Sequence, residues 1–257
     1  MKTKKHLGQH FLIDQNIAKK IVESLTFKKE DKISCIEIGP GKGVLTQYLL
    51  QKKEYNLTAI EYDYEAVDYL KYNIPSIKNH IVQIDFLKYD IAQNFAHPIV
   101  MIGNLPYNIS APIFFKIIDN KDIVEQAVFM IQKEVAERIA SKHGTKKYGI
   151  LSVLLQSYFD IEYLFTVNEN VFDPPPKIKS AVIRLTRKKE NYEIADYKEF
   201  KKLVKQIFGQ RRKMIRNTLK TNYDAENINN ISPEVLNKRP EQLSVLELIE
   251  LSNKLSK

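Results

Sequence analysis

Ile99-Val100-Met101-Ile102-Gly103-Asn104-Leu105-Pro106-Tyr107 is the stretch on which the reading of this 257-residue chain turns. The run Ile99 to Ile102 is apolar throughout, as a short buried strand requires. Pro106 has no N–H to give to a ladder, so the strand must stop there. An amide, a rigid turn and an aromatic ring thus follow a strand's carboxyl end, where open α/β sheets bind their ligands. The set suits a flat ring bearing an amino group. Asn104 Oδ1 and a backbone carbonyl, that of Leu105, accept from an exocyclic NH₂, and Tyr107 stacks on the ring face. Ordinary strand-to-helix turns also use Asn and Pro, so the rest of the chain has to decide.

Strands and helices alternate around this stretch. Asp14 caps a helix with apolar residues at Ile17, Ile21 and Leu25. Strands are expected at Ile33 to Ile38, Leu57 to Ile60, Ile81 to Ile84, Ile99 to Ile102 and Ala127 to Ile131. The helices between them start near Val44, Tyr64 and Ala111, and Lys133 to Ala140 follows the fifth strand. This order predicts an α/β fold with a parallel sheet and right-handed crossovers. Ser141 to Tyr148 is a charged loop, expected to be mobile, and Leu151 to Phe159 fits helix or strand. Ile161 to Val167 and Ile178 to Leu185 read as paired strands joined through Pro174-Pro175-Pro176. The pattern changes near Arg187-Lys188-Lys189-Glu190 and is helical from Tyr197 onward, with Leu243, Leu246 and Ile249 at core spacing. The expected domains are 1–188 and 189–257.

The other strand ends carry ligand-type residues as well. Glu37-Ile38-Gly39-Pro40-Gly41-Lys42-Gly43 follows the first strand, and its glycines let a ligand approach the backbone closely. The spacing is neither the dinucleotide fingerprint nor a P-loop. It fits an S-adenosylmethionine site in which the methionine part passes over the loop. Glu61, 22 residues beyond Gly39, ends the second strand and suits ribose hydroxyls, whereas Asp63 suits the cap of the next helix. Asp85 follows the third strand and can accept from an adenine amino group, with Phe86 or Leu87 against the ring. Gly39, Glu61, Asp85 and Asn104 thus stand on four successive strand ends, a coincidence far rarer than any one of them.

Composition supports a globular chain, 44% hydrophobic and 28% charged. No apolar run reaches a membrane span. The single cysteine, Cys35, excludes an internal disulfide, and the histidines have no metal spacing, so no metal is expected. The cytoplasm is the default compartment. A net charge of +9 suggests a polyanionic partner. Arg212, Arg216 and Lys220 recur at helical spacing beside Arg211, a stripe that suits phosphates or a solvated helix face. The stiff proline run either holds Phe172 and Lys177 at a pocket mouth or only connects two strands.

Together these motifs resemble the ribosomal RNA adenine dimethyltransferases, in particular the bacterial KsgA/RsmA type. The resemblance lies in Leu7-Gly-Gln-His-Phe-Leu-Ile-Asp14, Glu37 to Gly43, Gly103-Asn-Leu-Pro-Tyr-Asn-Ile-Ser110, Phe172-Asp-Pro-Pro-Pro-Lys-Ile-Lys-Ser-Ala-Val182, Gln210-Arg-Arg-Lys213 and Arg239-Pro-Glu-Gln-Leu243. It implies a Rossmann-like methyltransferase domain with a small helical C-terminal domain and S-adenosylmethionine as methyl donor. Its implied acceptors are two adjacent adenosines in the 3′-terminal hairpin of small-subunit rRNA, dimethylated within a pre-30S particle. By position, the family's cofactor residues fall on His10, Leu12, Gly39, Glu61, Asp85 and Asn104, beside Gly41 of the same loop. The residues themselves give Asn104, Leu105, Pro106 and Tyr107 as the candidate catalytic turn, and Phe172, Lys177, Arg211, Arg212 and Arg216 as candidate RNA contacts. His10 stands where the family usually has Asn, which makes that contact pH-sensitive. A monomer is expected. The alternatives are an Erm-type enzyme acting on large-subunit rRNA, against which the proline run and Gln-Arg-Arg-Lys argue, and an assembly factor acting mainly by binding.

Overall fold

The computed structural model describes residues 10–190 and 192–256. His6 and the Leu7-Gly8-Gln9 part of the N-terminal motif lie outside the described residues. Two compact units are present, Met1–Ala136 with Ile161–Arg187, and Glu137–Asp160 with Lys188–Lys257. The second unit is thus built from two segments of chain.

In the first unit the order is β1 (Phe11–Leu12), α1 (Gln15–Glu23), β2 (Ile33–Ile38), α2 (Thr46–Leu49), β3 (Tyr55–Glu61), α3 (Tyr64–Asn73), β4 (Ile81–Gln83), α4 (Ile91–Asn94), β5 (Ile99–Asn104), α5 (Ser110–Asp119) and β6 (Val124–Gln132). Beyond α6 (Lys133–Ile139) and α7 (Ile150–Gln156), the chain adds β7 (Phe159–Val167), β8 (Phe172–Asp173) and β9 (Ser180–Arg187). The seven-stranded sheet runs β4-β3-β2-β5-β6-β9-β7. Its first five strands pair in parallel and β9 lies antiparallel to β6. The parallel strands are buried on both faces, which is why they read as continuous apolar runs. Strand order reverses between β2 and β5, and that opens a crevice at their carboxyl ends.

A separate two-stranded sheet pairs β1 with β8, Phe11 opposite Asp173 and Leu12 opposite Phe172. Asp14 caps α1, accepting from the N–H groups of Asn16 and Ile17 (2.8 and 3.0 Å), and buried Ile21 faces the core. Asp63 caps α3 through Glu65 N–H at 3.1 Å, the role its position suggests.

The second unit packs α7, α8 (Tyr197–Gly209), α9 (Ile215–Leu219), α10 (Ala225–Asn229), α11 (Pro233–Asn237) and α12 (Val245–Leu255). The ambiguous stretch after Leu151 is therefore helix first, with strand only from Phe159. Ser141 to Tyr148 is tethered rather than free-hanging. Gly144 N–H donates to the Glu241 carbonyl (2.6 Å), the Arg211 guanidinium to the Lys146 carbonyl (3.0 Å), and the buried Tyr148 ring meets Phe208 edge-on. Leu246 is 46% exposed, and α12 instead buries Leu248, Ile249, Leu251 and Leu255. Among the described residues, no helix is long and apolar enough to cross a membrane.

Candidate active site

The crevice holds a cavity of about 240 Å³ walled by residues from each of the four strand ends. Gly39, Gly41 and Gly43 all take positive φ (63°, 55° and 81°), so the loop after β2 needs glycine at each. At Gly41 a Cβ would stand 2.9 Å from the Phe11 ring, and only a bare backbone fits beneath that residue. Glu61, at the end of β3, accepts from Gly41 N–H (3.1 Å) and Asp63 N–H (2.9 Å), which fixes its carboxylate against the loop. Burial pushes its pKa up, and the backbone donors pull it back. Asp85 accepts from Leu87 N–H at 2.9 Å. Leu87 lines the cavity, whereas Phe86 is buried and not part of its wall. Lys116 Nζ donates to the Leu87 carbonyl (2.9 Å) and holds that wall in place.

At the end of β5, Leu105 N–H donates to the Met130 carbonyl (3.0 Å), so the turn hangs from the neighbouring strand. Asn104 Nδ2 donates to the His10 carbonyl at 3.0 Å. A carbonyl can only accept, so this bond sets the amide's orientation and leaves Oδ1 as an acceptor. The Tyr107 hydroxyl bonds Ser180 Oγ at 2.7 Å, and its ring lies 5.4 Å from that of His10. His10 Nδ1 lies 2.8 Å from the Pro174 carbonyl, and that nitrogen therefore carries the proton. The β1–β8 pair and this bond tie the N-terminal segment to the proline run.

His10, Leu12, Gly39, Gly41, Glu61, Asp85, Asn104, Leu105, Pro106 and Tyr107 all line this one cavity. The other expected site residues lie elsewhere. Phe172 is only 3% exposed, packed in the core opposite Leu12, and is not part of the cavity wall. Lys177 is exposed and likewise off the wall. Arg211, Arg212 and Arg216 belong to the second unit. They do not form one helical stripe: α8 ends at Gly209, Gln210 to Lys213 make a turn closed by Lys213 N–H to Gln210 O (2.8 Å), and only Arg216 is on α9. Arg211 is engaged by Lys146, Arg216 Nε is buried, and Arg212 is exposed.

Glu37 also lines the cavity, as do Phe11, Val44, Leu45, Tyr62 and Ile109. Glu37, Phe11 and Ile109 lie within quoted motifs, Val44 and Leu45 directly follow one, and Tyr62 follows Glu61, so position along the sequence is the signal that could have found them. The lining fits S-adenosylmethionine: carboxylates at Glu61 and Asp85 that can accept from hydroxyl and amino groups, a loop with three glycines, and apolar walls.

Comparison with known proteins gives the same direction throughout. The model of the family "Ribosomal RNA adenine dimethylase" matches residues 1–257. The chain is 51% identical to "Ribosomal RNA small subunit methyltransferase A" of Cytophaga hutchinsonii, over 100% of this chain and 98% of that one. It is 50% identical to the protein of that name from Flavobacterium johnsoniae, over 99% and 96%. A solved dimethyladenosine transferase from Plasmodium falciparum superposes with a TM-score of 0.79 at 25% identity, over 95% and 98%. The 23S rRNA methyltransferase ErmE shares the fold, with a TM-score of 0.70 at 24% identity over 96% and 100%. With the family match unbroken from end to end and relatives at half identity over the same span, this chain belongs to the ribosomal RNA adenine dimethylase family.

Proposed function

We propose that this protein dimethylates the exocyclic amino groups of two adjacent adenosines in the 3′-terminal hairpin of small-subunit rRNA. It acts as a monomer on the pre-30S particle, in the cytoplasm. The observation that carries this reading is the orientation of Asn104. Its Nδ2 is committed to His10 (3.0 Å), so Oδ1 is offered, beside the Leu105 turn, on the wall it shares with Gly39, Glu61 and Asp85.

S-adenosylmethionine, held by His10, Leu12, Gly39, Gly41, Glu61 and Asp85, supplies an electrophilic methyl group. An adenine amino nitrogen is a poor nucleophile because its lone pair is shared with the ring. Asn104 Oδ1 and the Leu105 carbonyl accept from its N–H groups, draw it toward tetrahedral geometry and stabilise the positive charge that develops. Pro106 keeps the turn rigid. Tyr107 stacks on the base, worth ~1–3 kcal/mol, after the base has left its own stack. No strong general base is required, because the methylated ammonium is acidic and loses its proton to water. Exposed Arg212 and Lys177, with Arg211 and Arg216, contact phosphates, and this gives binding that weakens as salt rises.

Labelled S-adenosylmethionine offered with under-methylated small subunits, large subunits or free rRNA tests the reading. Label is expected on small-subunit rRNA. Label on large-subunit rRNA would overturn the choice of substrate, and binding to small subunits without label would support an assembly factor instead.

A further inference from the structure

Of the three carboxylates that line the cavity, Glu37, Glu61 and Asp85, the first two are buried on adjacent strands, and among the described residues no cation is set against them. Glu37, at the end of β2, is 1% exposed, and Glu61, on the adjacent strand, is 7% exposed. They are unequally supported. Glu61 takes two backbone N–H donors. Glu37 takes the Thr46 hydroxyl from α2 at 2.7 Å and a single backbone donor, the N–H of the same Thr46; the hydroxyl can donate to a carboxylate or accept from a carboxylic acid equally well.

Among the described residues, the remaining titratable groups around Glu37 bring no positive charge to it. Cys35, on the same strand, is a buried thiol whose pKa burial pushes up. Lys42, the lysine on the cavity wall, directs its ammonium to Asp173 (3.6 Å) and over the Phe11 ring (4.8 Å). Asp85, Tyr62, Tyr107 and His10 line the same cavity; His10 is committed through Nδ1 to Pro174. Two carboxylates in one desolvated space do not both ionise without a counter-ion, and the proton settles on the one with the poorer donors. Burial above all, with repulsion from Glu61, pushes the Glu37 carboxyl up to about 8, against the pull of the two hydrogen bonds from the Thr46 hydroxyl and backbone N–H.

We propose that Glu37 holds a proton in the free protein and releases it to solvent when the α-ammonium of the cofactor's methionine part enters, so that cofactor uptake and proton release are coupled. The proposal rests on the S-adenosylmethionine reading above. It places the ammonium near Glu37 because Glu37 stands two residues before Gly39, at the root of the loop over which the methionine part passes. No bond other than O–H changes: a neutral carboxyl and an ammonium become a carboxylate–ammonium pair and a solvent proton. The demethylated product keeps the α-ammonium, so it releases the proton as well. A nucleoside without the amino-acid end does not. Glu37 thereby selects ligands that carry that end over plain adenine nucleosides.

Calorimetric titration of the whole protein tests this, at pH 6 and 7, each in two buffers of different ionisation enthalpy. S-adenosylmethionine, S-adenosylhomocysteine and methylthioadenosine serve as ligands. The first two are expected to release about one proton each and to bind roughly tenfold more tightly at pH 7 than at pH 6, as linkage to a group titrating above that range requires. Methylthioadenosine is expected to release none. In Glu37→Gln, an isosteric neutral side chain, release disappears and affinity becomes flat with pH. S-adenosylmethionine bound by the wild type without proton release would overturn the inference and leave the cofactor reading standing. Absence of binding would overturn the cofactor reading itself. Release with S-adenosylmethionine but not with S-adenosylhomocysteine would place the counter-charge at the sulfonium and overturn the assignment to the ammonium. The wild-type proton count decides the matter even if the variant misfolds.

Discussion

Asn104→Ala separates the two methyl transfers. The side chain makes one bond that is structural, Nδ2 to the His10 carbonyl at 3.0 Å, and offers one acceptor, Oδ1, to the substrate. Losing a preorganised group that stabilises developing charge costs ~10²–10³ in rate, about 3–4 kcal/mol. Losing the bond to His10 also removes ~0.5–1.5 kcal/mol of local stability. Unmodified adenine brings two N–H groups to two acceptors, so its transfer bears the full rate loss. The monomethyl intermediate brings one N–H. In the wild type one acceptor is then left unpaired, at ~1–3 kcal/mol if it is dry. The alanine variant removes that penalty, and the remaining N–H uses the Leu105 carbonyl, which no side-chain change can delete. The second transfer is therefore expected to lose less than the first by ~1–3 kcal/mol, a factor of roughly 5 to 150. Single-turnover methylation of under-methylated small subunits, and of subunits carrying monomethyladenosine at the site, gives both rates. Equal losses in the two steps would refute the two-acceptor argument.

Tyr107→Phe keeps the ring but strips the partner from buried Ser180 Oγ (2.7 Å); thermal melting should show a loss of ~1–3 kcal/mol with methylation nearly intact. Tyr107→Ala should in addition weaken substrate use by the ~1–3 kcal/mol of lost stacking, read as a rise in KM for the subunit. Gly103→Ala would place a Cβ 2.6 Å from the Ile38 carbonyl of β2. Because that neighbour is backbone, the strand must shift, and the denaturant midpoint should fall by the equivalent of ~1–3 kcal/mol together with cofactor affinity. Burial pushes the Glu37 carboxyl of the free protein up to about 8, well above an ordinary carboxylate. The folded state thus binds the extra proton, and its stabilising effect is present at low pH and lost as pH rises from about 4.5 through about 8. Melting temperature against pH should accordingly decline more steeply in the wild type than in Glu37→Gln across that window; parallel curves would contradict a buried neutral carboxyl.

The row of strand ends was legible because each part has a local cause. Pro106 stops β5, glycines are needed at three positive-φ positions, and an acid after β3 or β4 lies within a few residues of its strand. What the sequence left hidden depends on contacts between distant residues. Phe11 and Leu12 gain strand partners only through Asp173 and Phe172, and the same pairing carries the Phe172 ring inside, away from the cavity. The basic stripe failed for a backbone reason. Helical spacing from Arg212 to Lys220 assumes a continuous helix, but α8 ends at Gly209, and Gln210 adopts φ −124° with ψ 39°. Leu246 has apolar character at a plausible spacing, yet the face of α12 is set by residues 248, 251, 252 and 255. The orientation of the Asn104 amide was also invisible, since its partner, the His10 carbonyl, is 94 residues away.

The central claim is that Asn104 Oδ1 and the Leu105 carbonyl present an exocyclic adenine amino group for methylation. Nucleoside-level mass spectrometry of small-subunit rRNA methylated by the protein tests it most directly. Two adjacent adenosines in the 3′-terminal hairpin, each doubly methylated on the exocyclic nitrogen, are the predicted product. A methyl group on a ring nitrogen, or one placed on another base, would contradict it.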